Sequence, residues 1–420
     1  MPTEIDLNSS IGQVLVIGYV WPEPNSSAAG GHMLSFLKLF IKQGWKVTFA
    51  SPAQLGEHKT DLTALGIDEK VIALNCSSFD EFIRELKPDV VLFDRFMLEE
   101  QFGWRVAQEC PNALRILDTE DLHSLRHARH QAHKQNRQLT KQDLHSELAL
   151  REIASIYRCD LSLIISDFEL ELLQNEYSVP GYLLHHCPFM MDLRTLNKNA
   201  IDTDWQNRQH FISVGNFRHA PNWDAVLWLK QEIWPIIRKK LPQAELHIYG
   251  AYPPPKATQL HNPKHGFLIK GWTKDAKHVM AQARVCLAPL RFGAGIKGKL
   301  VEAMFCGTPN VTTAIGIEGM HQNLPWSGEV ADSADQFAHL AVELYQNQSQ
   351  WQDHQLQGYT LLQKIFDQDI LEPRLSQKII QTKQNLTEHR LQNFVGNMLQ
   401  HHQHKSTQYM AQWIEAKNKL

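Results

Sequence analysis

The chain has 420 residues, enough for two domains of roughly 150–200 residues each. Hydrophobic residues make up 43% and charged residues 21%, which excludes a disordered chain and allows sizeable cores. A formal net charge of −3, with no basic tract, gives no electrostatic case for nucleic acid as a partner.

The six cysteines (Cys76, Cys110, Cys159, Cys187, Cys286, Cys306) are scattered, with no CxxC pair. That reads as a reducing cytoplasm rather than a disulfide or zinc framework. The opening MPTEIDLNSS is polar and acidic, so no secretory signal is expected. No apolar run approaches about 18 residues, so no membrane-spanning helix is expected.

In chain order, 11–20 predicts a buried strand rich in Val and Ile. The loop 21–31, an amphipathic helix over 32–43 closed by Gly44, and a strand at 46–50 follow. This is a βαβ opening with Gly30 and Gly31 where the helix begins. Taken alone, such a glycine pair reads equally as turn chemistry. Strands are predicted at 70–74, 89–94, 113–118, 161–166 and 182–184, with helices such as 79–86 and 98–109 between the earlier ones. This alternation argues for a parallel sheet covered on both faces, where ligands gather beyond the carboxyl ends of strands.

Two strand ends carry charge: Asp94-Arg95, and the run from Asp118 to His123 followed by Arg126. The second is the densest set of acid, base and hydrogen-bonding groups in the N-terminal half. Asp118, Asp121 and His123 are the catalytic candidates, with helix capping as the competing role for the aspartates. Residues 126–158 are charged, histidine-rich and helical in period, reading as a solvated face whose start suits an acidic or phosphorylated acceptor.

A polar stretch without periodicity, 193–207, reads as the domain break. Strands at 210–214, 244–249, 267–270, 284–288, 310–313 and 328–331 then alternate with helices. The helix over 222–240 carries Trp223, Trp228 and Trp234, read as core and interface packing. Three consecutive prolines make 251–256 a stiff exposed loop. Histidines at 401, 402 and 404 resemble a metal tract by composition only, with no partner cluster. The segments 361–380 and 391–420 read as amphipathic helices.

The stretch 289–320 is the most informative. After a buried strand, Gly293, Gly295 and Gly298 are spaced among Ile296, Lys297 and Lys299. A helix over 299–306 stops at Gly307, with Pro309 just beyond. Strand, glycine loop and helix start make an anion site: glycines allow close approach, the first helical N–H groups are unpaired, and the dipole adds positive potential. Two lysines in the loop suit a diphosphate, and Glu302, one turn into the helix, has the reach for a neighbouring sugar hydroxyl. The competing view is a plain helix start, its glutamate serving the dipole and its lysines in solvent.

This pattern, GxGxKxKxxEAMxxGxP from Gly293 to Pro309, resembles the donor-site signature of group 1 (family 4) glycosyltransferases, retaining enzymes of the GT-B fold. Residues 214–250 and 270–290 support the resemblance, which covers most of the C-terminal half; the N-terminal half matches only in layout. The family often has a second glutamate eight positions before Glu302, where this chain has Ala294, as is common in the GxGxK-loop subgroup.

The resemblance implies an α/β GT-B architecture, with two Rossmann-like domains whose parallel sheets face a central cleft. It implies an acceptor-side domain at 1–195, a nucleotide-sugar-binding domain at 208–365, and C-terminal helices at 366–420, one crossing back to the first domain. The implied activity is transfer of a sugar from a nucleotide diphosphate sugar to an acceptor hydroxyl, with retention of configuration, in cell-surface glycan or glycoconjugate synthesis. Gly30, Gly31, Arg218, Trp272, Gly293, Gly295, Lys297, Lys299 and Glu302 are the implied donor-binding residues. Arg218 stands against a plain surface arginine, and Trp272, placed for the nucleotide base, against a buried tryptophan.

No cofactor or metal is expected, because lysines, arginine and a helix start offset the leaving diphosphate's charge. The expected partners are the nucleotide sugar and a saccharide or lipid-linked saccharide acceptor. The expected location is cytoplasmic, with peripheral contact at the inner membrane surface. The segment 391–420, with Phe394, Val395, Met398, Leu399, Met410 and Trp413, either lies on lipid or packs on the first domain; its few cations favour packing. The alternatives are a sugar-nucleotide epimerase or phosphorylase of the same fold, or a non-catalytic GT-B partner subunit.

Overall fold

The computed structural model describes residues 12–196 and 205–419. Residue 11 of the first predicted strand and residues 197–204 of the predicted domain break lie outside the described residues, as do the side chains at 402–404.

The first sheet has seven strands: β1 (Gln13–Ile17), β2 (Lys46–Ser51), β3 (Asp68–Val71), β4 (Val90–Asp94), β5 (Leu114–Asp118), β6 (Leu161–Ile164) and β7 (Leu184–His186). Their order is β3-β2-β1-β4-β5-β6-β7, and every pairing is parallel. The second sheet has six: β8 (Gln209–Val214), β9 (Leu246–Tyr249), β10 (Phe267–Gly271), β11 (Ala283–Ala288), β12 (Asn310–Thr312) and β13 (Gly328–Val330). Its order is β10-β9-β8-β11-β12-β13, again all parallel. The molecule is therefore two Rossmann-like α/β domains. Strands such as VVLFD (β4) are buried along their whole length, as expected where helices cover both faces of a parallel sheet.

Strand order reverses beside β1 in the first sheet and beside β8 in the second, and crevices beyond such reversals are where ligands sit. Asp94 ends β4 and Arg95 follows it, Asp118 ends β5 and residues 119–123 follow it, the 215–219 loop follows β8, and the glycine loop follows β11. All these loops border one cleft of about 1710 Å³.

The last helices return to the first domain. Leu375 and Ile379 of helix Gln368–Gln384 are buried in the same cluster as Val14 and Phe36. Each such apolar side chain contributes roughly 1.5–3 kcal/mol on burial. Lys383 pairs with Asp89 at 2.5 Å, Lys42 with Glu372 at 2.6 Å, and Arg390 with Asp160 at 2.7 Å. Helix Phe394–Asn418 packs on helices Phe96–Glu109 and Glu147–Arg158. A Cβ at Gly396 would come within 2.1 Å of the Tyr157 carbonyl oxygen. Its other face leaves Phe394, Val395, Met398, Tyr409, Met410 and Trp413 exposed.

Three local expectations change. The first helix starts at Ala28, not 32, because Ser27 caps it by accepting from the Gly30 N–H. The triple proline is exposed at Pro253, Pro255 and Lys256, as expected, but it is not all loop: Pro255 begins a short helix, Pro255–Thr258, and Ala251 is buried. The 126–158 run divides into helices His123–Lys134, Lys141–Leu144 and Glu147–Arg158. Asn136 at φ 50°, the Thr140–Asp143 capping box and the Ser146 cap separate them.

Candidate active site

On the second-domain side of the cleft, the glycine loop leads into helix Gly298–Phe305, and Gly307 ends it at φ 63°. Lys297 is the residue before the helix and is only 8% exposed. Its ammonium donates to the Gly295 carbonyl at 2.5 Å and the Ala294 carbonyl at 3.4 Å. Lys299 donates to Asn222 Oδ1 at 2.7 Å, beside Gly215 at the end of β8. Burial pushes both lysines down to about 8. Glu302 lines the cleft, and burial pushes its carboxyl up to about 7. Two depressed ammonium groups and an elevated carboxyl in one cleft form a site poised for an anionic ligand with hydroxyl groups.

Arg218 and Trp272 both face the cleft. The Arg218 guanidinium lies 3.6 Å from the Tyr252 ring centroid, and the Tyr252 hydroxyl donates to the Glu23 carboxylate at 3.0 Å, across the domains. Trp272 is 39% exposed. It stacks on His58 at 4.3 Å and 6° and donates its indole N–H to the Asn25 carbonyl at 3.0 Å. Trp272 is thus neither buried nor on open solvent; it bridges to the first domain.

The two glycine pairs have different roles. Gly31 lines the cleft with open space where a Cβ would stand, whereas a Cβ at Gly30 would strike the Glu23 backbone at 2.6 Å. Gly295 sits at φ 61°, and a Cβ there would lie 2.7 Å from Asp121 Cβ. Its N–H donates to Glu169 at 2.7 Å. Arg129 grips the same loop, donating to the Gly293 carbonyl at 2.9 Å and forming a two-pronged pair with Glu318 at 2.6 and 2.8 Å. The glycine loop is therefore docked on the first domain by a buried carboxyl and an arginine.

On the first-domain side, the Asp121 carboxylate pairs with Arg126 and lies 3.6 Å from His123 Nε2. Burial alone would raise the Asp121 carboxyl; the Arg126 charge outweighs it and holds the group well below the carboxylate range. Burial pushes His123 down to about 4, so its imidazole is neutral at pH 7. Neither aspartate caps the following helix. The N–H groups of His123 and Ser124 donate to Glu152, each at 2.9 Å, and that of Leu122 donates to Glu169 at 3.1 Å. Asp121 and His123 line the cleft, while Asp118, 1% exposed, sits behind them and beside His32 and Glu120, which reach the cleft at their edges.

Sequence reasoning did not single out Glu23, His32, His58, Glu120, Arg129, Glu169, Tyr252 or Glu318. Only Arg129 carried a local signal: three residues after Arg126, it shares that residue's helix face. Arg95 and Glu120, both at strand ends on the cleft, hold φ of 71° and 56°, a left-handed strain of the kind that clusters at functional sites.

A family model described as Glycosyl transferases group 1 matches residues 208–347, the domain that carries the glycine loop. No curated protein matches the chain in sequence. The solved structures that share its fold across both domains include the following three. Sucrose-phosphate synthase from Thermosynechococcus elongatus is 15% identical with a TM-score of 0.64, over 88% of this chain and 98% of that one. A glycosyltransferase from Rickettsia africae is 12% identical with a TM-score of 0.64, over 88% and 98%. HepE from Anabaena, solved with UDP, is 12% identical with a TM-score of 0.65, over 88% and 100%. The chain thus has the GT-B fold, and its second domain matches the group 1 glycosyl transferases over residues 208–347.

Proposed function

We propose that the protein is a retaining glycosyltransferase that moves a sugar from a nucleotide diphosphate sugar to an acceptor hydroxyl, in cell-surface glycan or glycoconjugate synthesis. The observation that carries this is the convergence of Lys297, Lys299, Glu302 and a helix start on one cleft wall, opposite Asp121 and His123. In this reading Lys297, Lys299, Arg218 and the first N–H groups of helix Gly298–Phe305 stabilise negative charge as it builds on the leaving diphosphate. These groups hold the diphosphate without a metal. Glu302 accepts from the nucleotide ribose, and Trp272 packs on the base, its His58 stack opening to admit it. Asp121, held by Arg126, and neutral His123 orient the acceptor hydroxyl. HepE, solved with UDP and with UDP-glucose, supports a uridine diphosphate sugar as the first donor to test.

The acceptor in this reading is a saccharide or lipid-linked saccharide, met at the cytoplasmic face of the inner membrane. The exposed apolar face of helix Phe394–Asn418 makes the peripheral contact. The test is to supply purified protein with nucleotide sugars and saccharide acceptors and to assign the product anomer by NMR. An acceptor glycoside with the donor's anomeric configuration supports the proposal. An inverted glycoside overturns retention; an epimerised sugar without acceptor, or turnover only with inorganic phosphate, overturns transfer.

A further inference from the structure

Behind the first-domain wall lies a buried group of ligand atoms that the proposed transfer does not use. His32 is 2% exposed, in helix Ala28–Lys42; among the described residues neither ring nitrogen makes a hydrogen bond of normal geometry, and the Cys187 thiol and Glu120 carboxylate are its polar neighbours. Asp118 ends β5 at 1% exposure with Oδ2 unpartnered, and Glu120 at 7% with Oε1 unpartnered. One ligand atom from each lies within 4.8 Å of the others. Buried polar atoms are normally paired, so three residues that each bring an unpartnered atom to one cluster call for an occupant. We propose that His32, Asp118 and Glu120 bind a divalent transition-metal ion, with Zn2+ as its first candidate.

The separations favour an ion over a direct contact. His32 Nδ1 stands 3.8 Å from Glu120 Oε1, too long for an N–H···O bond. Two ligands each about 2.1 Å from one ion subtend about 130° at that separation, within the range of a distorted tetrahedron. A spread of up to 4.8 Å closes onto one ion with side-chain shifts of under about 1 Å. Charge points the same way. Arg95 is paired most directly with the neighbouring Asp94, at 3.4 Å, and acts on Asp118 and Glu120 only through space, so three buried carboxylates share Arg95 and His32. One imidazole nitrogen with two carboxylates suits Zn2+ and its neighbours rather than the all-oxygen shells of Mg2+ and Ca2+. His32 and Glu120 reach the cleft surface, which gives the ion an entry path and leaves a fourth position facing the cleft for water. An ion there would fix the strained strand end at Glu120, and with it the placement of Asp121.

Binding of an ion at this site is tested without the proposed transfer. The full chain is stripped with chelator, equilibrated with Zn2+ and measured by elemental analysis, and Co2+-loaded protein is examined for visible d–d absorption. The expected result is about one ion per chain and a raised melting temperature with Zn2+. His32→Gln and Glu120→Gln, each checked for folding by circular dichroism, should each weaken Zn2+ binding more than about tenfold. Nucleoside diphosphate binding to the glycine loop should survive in both. A wild-type chain that takes up no Zn2+ or Co2+, or variants that bind it as the wild type does, would overturn the site; imidazole 15N shifts would then identify His32 as an imidazolium between two carboxylates.

Discussion

Lys297→Ala is the substitution that separates an anion site from an ordinary helix start. The Lys297 ammonium is almost fully buried and satisfies the carbonyls of Gly295 and Ala294. An ammonium has three N–H groups, so one is left for a phosphate oxygen arriving in the cleft. A charge-assisted bond of this kind is worth roughly 1.5–3 kcal/mol, which converts to a ten- to hundredfold loss of nucleoside diphosphate affinity. The same change strips two buried carbonyls of a donor, at a stability cost of about 1–3 kcal/mol. Calorimetric titration is therefore paired with a melting curve of the unliganded variant. Lys299→Ala, whose ammonium bonds only Asn222 among the described residues, should lose affinity with a smaller melting shift. Were folded Lys297→Ala to bind nucleoside diphosphate within about twofold of wild type, the lysine would be only a loop brace and the reasoning refuted.

Four further outcomes are expected. Affinity for an intact nucleotide sugar should rise with pH through about 7, because ribose hydroxyls favour charged Glu302, and fall through about 8, because a diphosphate favours charged Lys297 and Lys299. Calorimetry across that range on wild type and Glu302→Gln checks this; an acid limb that persists in the variant would remove Glu302 from the ribose. Asp121→Asn and His123→Ala should each cut turnover at least about tenfold while donor affinity stays within about threefold, as read from steady-state kinetics beside titration. Arg129→Ala should speed hydrogen exchange at the Gly293–Gly295 amides and weaken nucleotide binding several-fold, since that side chain holds both Gly293 and Glu318. Intact protein should float with anionic vesicles, and Phe394→Ser combined with Trp413→Ser should sediment; equal flotation would exclude the exposed helix face as the contact.

Most strands were legible because buried parallel strands are continuous apolar runs, as in Val14–Ile17 and Val90–Phe93, whereas β3 (DEKV, largely exposed) and β7 begin two residues away from the predicted 70–74 and 182–184. The glycine loop was legible because its chemistry is local: glycines, lysines and a helix stop all fall within seventeen residues. The contacts that dock that loop were not. Glu169 meets Gly295 across 126 positions, Arg129 meets Glu318 across 189, and Tyr252 meets Glu23 across 229, and no periodicity encodes such pairs. The roles of the aspartates were hidden for the same reason. Their helix is capped by Glu152 and Glu169 from later helices, which leaves Asp121 to pair with Arg126 and Asp118 to turn inward. The helix breaks after Lys134 had a readable cue in Thr140-Lys141-Gln142-Asp143, which a helical period through the charged run overrode.

The central claim is that the glycine loop seats a nucleoside diphosphate, and diffraction from crystals grown with the nucleoside diphosphate that binds tightest by calorimetry tests it most directly. The account predicts density for the diphosphate against the N–H groups at the start of helix Gly298–Phe305, with Lys297, Lys299 and Arg218 on its oxygens and the ribose hydroxyls on Glu302. Nucleotide bound elsewhere, or seated in the cleft with Glu302 and Lys297 both out of reach, would contradict it.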